Sequence, residues 1–399
     1  METIFARRTQ QMGVSAIREI LKVVSQPEMV SLAGGIPAPE SFPVNLVKEL
    51  TEIVLSKYGA AALQYDATEG FGPLREVLAD YLKEMGIKTL NDDILVTSGS
   101  QGLLDALGMI LISKGDVIAV ESPTYLGALQ AFRPYEPEFV CIKTDDQGVI
   151  PESLEDLLQQ HTIKFIYLVP TFQNPSGRTI PMARRKAIAK LIQTYNTLLV
   201  EDDPYSALRY YGNPVTSIKN MATENIIYVG TFSKVFAPGL RVGYCVVPKK
   251  IKKWLVMAKQ GIDLHTSTFS QALTAEYIKG GHLASHLPNI IDIYRPRLGA
   301  MLNALDQYMP RGFGWSRPEG GMFVWLYGPD GLDTEKIYPK AVARKVVFVP
   351  GKYFYAHSNQ GRETMRLNFT MANEKSLTKS IETLADVLYD TGIVTIKRS

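Results

Sequence analysis

Seven short apolar runs most constrain what this chain can become. They are ILVT (94–97), DVIAV (116–120), FVCI (139–142), KFIYLV (164–169), TLLVE (197–201), IIYVG (226–230) and VGYCVV (242–247). Each is apolar almost throughout, where a half-exposed strand would alternate, and that is the pattern of strands buried on both faces. Helical stretches separate many of them, such as QGLLDALGMILIS (101–113) and MARRKAIAKLIQTY (182–195). A strand that returns parallel to its neighbour needs such a crossover, and helices on both faces supply the cover. The predicted fold is α/β, a three-layer sandwich with a mostly parallel central sheet and right-handed crossovers.

The ends read differently. Residues 1–40 hold one short amphipathic helix at about 14–25, then the turn-rich SLAGGIPAPESFP. A long helical stretch covers about 282–307, and FGWSRP, MFVWLYG, KVVFVPG and MRLNFT follow as strand-like pieces among two further helices. That order predicts a smaller α+β domain packed with the N-terminal helix. The division drawn from the sequence is an N-terminal segment at 1–40, a large domain at 41–290 and a small one at 291–399. A length of 399 residues agrees, at roughly 150 residues per domain.

Composition excludes several classes. Hydrophobic residues make up 46% and charged residues 21%, enough apolar material for a large core and too much for a disordered chain. The charge balance, 43 − 40 = +3, gives no general attraction to nucleic acid or an anionic membrane. Cys141 and Cys245 are the only cysteines, too few for a disulfide framework and in keeping with a reducing compartment. No apolar run approaches the roughly 20 residues of a bilayer crossing. METIFARRTQQ has charges with no apolar stretch behind them, unlike a secretory leader. The expectation is a cytoplasmic enzyme with no membrane or nucleic-acid partner.

In open α/β sheets ligands bind beyond the carboxyl ends of the strands, so the residues after each run matter most. SGSQG (98–102) follows the first run and opens a helix whose free N–H groups can hold a phosphate. Read alone, it is equally an ordinary turn capped by Ser100. DDPYSAL (202–208) places Asp202 at the mouth of the sheet, where a carboxylate meets a cationic ligand or solvates a loop. PTFQNPSG (170–177) carries Asn174 in what is already a turn signature. IIYVGTFSK brings Lys234 to a strand end, with Thr231 and Ser233 just before it and Arg241 seven residues on. A lone lysine there is ordinarily solvated. Beside two hydroxyls and an arginine it reads as an amine next to a bound phosphate. Four signals at one edge of one sheet reinforce each other.

TFSKVFAPGLRVGY resembles the lysine motif of fold-type I pyridoxal 5′-phosphate (PLP) enzymes, the class I and II aminotransferases. SLAGGIPAPESFP, LQYDATEGFGPLREVLADYL, SGSQG, PTFQNPSG and EDDPY match that family in order, and MRLNFT extends the match to 370. Nearly the whole chain is covered. Within the family the closest likeness is to the 2-aminoadipate and kynurenine aminotransferase group, with related archaeal aromatic aminotransferases.

The resemblance makes the large domain the PLP-binding one. It implies that Lys234 bonds to the cofactor aldehyde and, once substrate displaces it, moves the α-carbon proton. Such an amine needs a lowered pKa, which partial burial beside Arg241 favours. Asp202 matches the carboxylate that keeps the pyridine nitrogen protonated. Asn174 and Tyr205 match the pair on the ring's phenolic oxygen, with Asn174 also facing substrate. Tyr125 matches the aromatic that stacks on the ring; alone, it reads as a helix-start tyrosine packed in the core. Ser100, Gln101, Thr231, Ser233 and Arg241 match the phosphate site, where arginine's fork donates two parallel hydrogen bonds. Thr231 stands where many relatives carry serine and keeps the hydroxyl.

Tyr65 matches a tyrosine that reaches the phosphate of the neighbouring subunit, which implies a C2 homodimer with shared active sites. The alternative is a tyrosine buried in its own subunit. Arg366 matches the clamp on the substrate α-carboxylate, and Gly34 and Gly35 let LAGG close over the substrate. Arg18 matches an arginine that meets the substrate's distal end, or is a surface residue beside Glu19. A second arginine points to dicarboxylic substrates. The implied reaction moves an α-amino group between glutamate/2-oxoglutarate and 2-aminoadipate, an aromatic amino acid, kynurenine or a branched-chain residue by a ping-pong route. No metal is implied. Two other readings share these motifs: another PLP reaction such as β-elimination or decarboxylation, and a ligand-sensing regulator. Regulators carry a DNA-binding domain ahead of this fold, and only about thirty residues precede LAGG here.

Overall fold

The computed structural model describes residues 4–12, 20, 28–390 and 392. Its centre is a sheet of seven strands: β1 (Ile94–Thr97), β2 (Val117–Glu121), β3 (Glu138–Ile142), β4 (Ile163–Leu168), β5 (Leu198–Asp203), β6 (Ile226–Thr231) and β7 (Gly243–Val246). The order across the sheet is β1-β7-β6-β5-β4-β2-β3. The pairs from β6 through β3 are parallel, and only β7 runs against both of its neighbours.

Side chains alternate between the two faces of a strand, and here both faces are apolar. Ile118 and Val120 of β2, Phe165 and Tyr167 of β4 and Val200 of β5 join one core; Ala119, Ile166, Leu168 and Leu199 join a second. The first receives Leu103, Leu104 and Leu107 from α1 (Gly99–Leu111), the second Ile188, Ala189 and Ile192 from α2 (Met182–Thr194). Helices therefore cover both faces, as the unbroken apolar runs predict. Two boundaries differ from the sequence reading. Helix α1 begins at Gly99 and not 101, and β5 continues through Asp203, so Asp202 belongs to the strand's end.

A second, antiparallel sheet holds β8 (Gly314–Trp315), β9 (Phe323–Tyr327), β10 (Val349–Pro350) and β11 (Thr364–Asn368) in the order β8-β9-β11-β10. KVVFVPG, which reads as one strand, serves two sheets. Its Val346–Val347 pairs in parallel with Val30–Ser31, while Val349–Pro350 joins the second sheet. Asn368 N–H also donates to Leu32 O at 2.7 Å, which stitches the segment after residue 30 to this layer.

The division drawn at 290/291 falls inside one continuous helix, α3 (His282–Tyr308), which packs on α4 (Glu374–Tyr389). Pro288 and Pro296 lie within α3 without ending it. An internal proline costs about 3 kcal/mol, but each fully buried large apolar side chain contributes about 1.5–3 kcal/mol. Ile290, Tyr294, Leu298, Met301 and Leu305 form such a stripe, so burial wins. The helix expected at 14–25 lies outside the described residues apart from Ile20. No helix among the described residues is long and apolar enough to cross a membrane.

Candidate active site

The carboxyl ends of β1, β2, β4, β5 and β6 open on one edge of the sheet, and β7 starts there because it runs the other way. The turns at this edge converge on a cavity of about 260 Å³. Ser100, Gln101, Tyr125, Asn174, Asp202, Tyr205, Thr231, Ser233, Lys234, Arg241, Arg366 and Gly35 all line it. Of the other positions singled out in the sequence, Gly34 and Tyr65 are not part of this wall. Tyr65 is 76% exposed on the surface, edge-on to His265, and so is not a tyrosine buried in its own subunit. Arg18 lies outside the described residues. A wider groove of about 560 Å³, between Arg178 and Arg317, brings together none of these positions.

One end of the cavity is built for an anion. Helix α1 follows Ser98 with no capping side chain, so its first amides remain available. Ser100 is thus a first-turn residue and not the cap. Gly99 has φ +75°, and a Cβ there would strike the Arg241 guanidinium, so glycine lets the arginine lie against the helix start. Arg241 itself has φ 53°, a left-handed conformation that costs a non-glycine residue about 1–3 kcal/mol and gathers at functional sites. Its fork donates to Pro238 O and Ser98 O, both at 3.4 Å. Thr231 Oγ1 lies 3.0 Å from Ser233 Oγ and accepts from Ser233 N–H at 3.2 Å. The Gln101 side chain faces elsewhere: Nε2 donates to Gly127 O at 2.8 Å, and Oε1 accepts from Tyr125 OH at 3.4 Å. What Gln101 offers the anion end is its backbone.

At the centre, Lys234 Nζ donates to Gly35 O at 2.7 Å. Burial first, then the Arg366 and Arg241 charges, brings its pKa from 10.5 down to about 8. Asp202 is 2% exposed. Burial pushes its carboxyl up to about 7 against the lowering effect of a hydrogen bond from Tyr167, with the neighbouring Asp203 charge adding to the rise. Tyr167 OH donates to Asp202 Oδ2 at 2.7 Å, and Asp202 Oδ1 meets no partner among the described residues. Burial pushes Tyr125 up to about 12, so it stays a neutral ring.

The opposite end is built for a second anion. Arg366, 1% exposed on β11, donates to Asn174 Oδ1 at 2.8 Å and Ala33 O at 2.6 Å. Its guanidinium lies over the rings of Phe323 and Phe354, at 4.2 and 4.9 Å from their centroids. Its Nε has no partner among the described residues. Asn174 Nδ2 also donates to Tyr205 OH at 3.3 Å, so one amide links Tyr205 to the arginine. Gly35 faces Phe323, whose Cζ would sit 3.0 Å from an added Cβ.

Sequence reasoning missed several contributors. Ile36, Val169, Pro204 and Pro238 complete the wall, and Phe323 and Phe354 sandwich Arg366. Tyr167 reads as one more apolar letter in KFIYLV. The signal was there, since a tyrosine in a strand buried on both faces has to spend its hydroxyl somewhere. No group of three metal-ligating side chains comes together among the described residues.

Comparison with known proteins gives one consistent picture. The family described as aminotransferase class I and II matches residues 29–384. An aromatic-amino-acid aminotransferase from Thermococcus litoralis is 48% identical over 97% of this chain and 94% of its own. A 2-aminoadipate transaminase from Thermus thermophilus is 37% identical over 96% of each. The crystal structure of a kynurenine aminotransferase from Pyrococcus horikoshii, in complex with PMP and with kynurenine as substrate, superposes with a TM-score of 0.94 at 43% identity, covering 98% of both chains.

Proposed function

The chain belongs to the class I and II aminotransferases, and on that premise we propose how its cavity performs a PLP-dependent transamination and on which substrates. The observation that carries the reading is that a lysine with a lowered pKa and a buried carboxylate with one unmatched oxygen share a single cavity. The cavity fits PLP by the chemistry of its donors. The α1 amides, the hydroxyls of Ser100, Thr231 and Ser233, and Arg241 suit a phosphate; Tyr125 suits a ring face; Asp202 Oδ1 is the open acceptor for a ring N–H; Asn174 and Tyr205 suit the phenolic oxygen. When bound, PLP supplies an aldehyde to take the amino group and a protonated ring that draws electrons from the substrate α-carbon.

The residues do the rest. Lys234 Nζ, near 8, is neutral often enough at physiological pH to act first as nucleophile and then as the base that removes the α-carbon proton. Arg366 pairs with the α-carboxylate, and because its present partners are an amide and a carbonyl, its charge is not already neutralised. Gly35 O holds the free amine on the substrate side. The Asn174 bridge couples a clamped carboxylate to the tyrosine on the ring oxygen.

The reading extends to substrates and assembly. Glutamate and 2-oxoglutarate form one pair; 2-aminoadipate, kynurenine or an aromatic amino acid forms the other, with Arg18 meeting a distal carboxylate. Similarity to the aromatic and 2-aminoadipate enzymes supports that range and favours transamination over a lyase or regulator. Leu63, Tyr65 and Leu264 stand exposed, and Thr268 Oγ1 ties Gln64 O to the segment after Leu264 at 2.9 Å. A C2 homodimer that covers them and sends Tyr65 to the neighbour's phosphate fits this edge, and a cytoplasmic location fits the whole.

The test is spectroscopic. L-Glutamate added to cofactor-loaded protein without any keto acid should convert the bound-cofactor absorption band to that of the aminated form, and 2-oxoglutarate should reverse it. A spectrum untouched by glutamate rejects glutamate as donor; release of ammonia or carbon dioxide in its place would restore the lyase reading.

A further inference from the structure

Tyr167 lies inside β4, fully buried, with its ring edge-on to Phe132 at 6.0 Å. It pairs with Val200 of β5, so Asp202 is its diagonal neighbour on the same face, within reach of a long side chain. Its hydroxyl meets Asp202 Oδ2 at 2.7 Å, while Oδ1 is buried without a partner among the described residues, in a side chain that lines the cavity. The adjacent carboxylate is held in the same way from the other side: Tyr228 OH, on β6, donates to Asp203 Oδ2 at 2.9 Å. Only the first of these two acids lines the cavity. From this arrangement we propose that Tyr167 is a positioning residue for the reaction, one that fixes the Asp202 carboxylate so that a single oxygen faces the cofactor ring. The proposal rests on the reading of Asp202 as the acid for the ring nitrogen.

The physical consequence is twofold. A buried carboxylate with no donor is free to rotate, and a hydroxyl that donates to it favours the ionised form. The other charged and titratable groups around the Tyr167–Asp202 pair are Asp203 beside it on β5, the buried Glu121 at the end of β2, whose pKa burial raises to about 8 in every variant alike, Tyr125 and Tyr205, and the cations Lys234, Arg241 and Arg366 on the cavity wall. None of these cations is hydrogen-bonded to Asp202, so Tyr167 is the direct donor among the described residues.

The experiment uses cofactor-stripped full-length protein and pyridoxine 5′-phosphate, which keeps the ring nitrogen and phosphate but has no aldehyde to bond Lys234. Its affinity is read by calorimetry from pH 5 to pH 9. Tyr167→Phe keeps the ring's volume and removes the hydroxyl, so Asp202 should protonate about one pH unit higher. Binding should then be about tenfold weaker than wild type below pH 6, with the gap closing toward pH 9. Tyr228→Phe should follow wild type, and Tyr167→Phe should cause no further loss in an Asp202→Asn background. An equal loss at every pH, or the same loss in the Asp202→Asn background, would make Tyr167 a packing residue and overturn the proposal, as would a Tyr167→Phe profile identical to wild type. If Asp202→Asn alone leaves the pH profile of affinity unchanged, the reading of Asp202 itself fails. Thermal unfolding of each variant separates these outcomes from a folding defect.

Discussion

The lysine at the centre of the cavity should cost the cofactor-free fold stability. In the unfolded chain its pKa is the ordinary 10.5; in the fold, burial and the charges of Arg366 and Arg241 bring it to about 8. At about 1.4 kcal/mol per pH unit that fall is worth roughly 3 kcal/mol. The sign follows from proton counting. Between pH 8 and 10.5 the unfolded chain holds the proton and the fold has lost it, so stability rises with pH across that window. The full cost applies below pH 8. Lys234→Met preserves the length of the side chain and removes the charge. It also loses the hydrogen bond to Gly35 O, about 1 kcal/mol, and the half-buried side chain keeps some solvent screening. The balance makes the cofactor-free variant about 2 kcal/mol more stable than wild type at pH 7. At pH 10.5 the charge cost has fallen below about 0.5 kcal/mol, so the advantage disappears or reverses. Urea denaturation at both pH values, at matched protein concentration because association shifts midpoints, reads this directly. A variant no more stable than wild type at pH 7, or an advantage that persists unchanged at pH 10.5, would refute the reasoning.

Other substitutions divide chemistry from scaffold. Asp202→Asn should slow the glutamate half-reaction on the order of 100-fold with little change in KM; an unaltered rate would remove Asp202 from the chemistry. Arg366→Lys breaks the planar fork and should raise KM for amino acids roughly 10- to 100-fold while the melting temperature holds. Arg185→Lys should do the reverse, lowering stability by about 2–3 kcal/mol with KM unchanged, because it strands several buried carbonyls. Arg18→Ala should raise KM for dicarboxylic substrates about tenfold and spare aromatic ones; equal effects on both classes would sink the distal role of Arg18.

The parts legible in the sequence were those in which one residue's chemistry depends on its place along the chain. A run such as KFIYLV announces burial on both faces, and a residue that follows such a run is at the sheet's open edge, so the sequence places Asp202, Asn174 and Lys234 together. Less was legible where the partner is a backbone atom or lies on another element. Nothing in LAGG says that Ala33 O will hold Arg366 and Gly35 O will hold Lys234. KVVFVPG gives no sign that Phe348 separates two strands of different sheets, because both halves are equally apolar and equally buried. The stretch at 282–307 reads as helix despite its two prolines, but the buried stripe that outweighs their cost is a long-range property that the sequence does not display.

Buried arginines show how a site differs from a scaffold with the same residue type. Arg185 and Arg366 are each 1% exposed, and in both the hydrogen-bond partners are neutral oxygens. Arg185 spends all three nitrogens on four carbonyls and the Thr171 hydroxyl, which leaves nothing to offer. Arg366 spends two nitrogens on one acceptor each, has no partner for Nε among the described residues, and is flanked by two aromatic faces that attract its charge without neutralising it. Lys234 and Arg241 follow the same rule, held by Gly35 O and by Pro238 O and Ser98 O. Away from the cavity, Arg184, Arg178 and Arg209 pair with carboxylates. A carboxylate beside any of the cavity's cations would orient it equally well but would compete with the ligand for its charge. Carbonyls orient the cations and leave their charge available for the phosphate and carboxylate of the reactants.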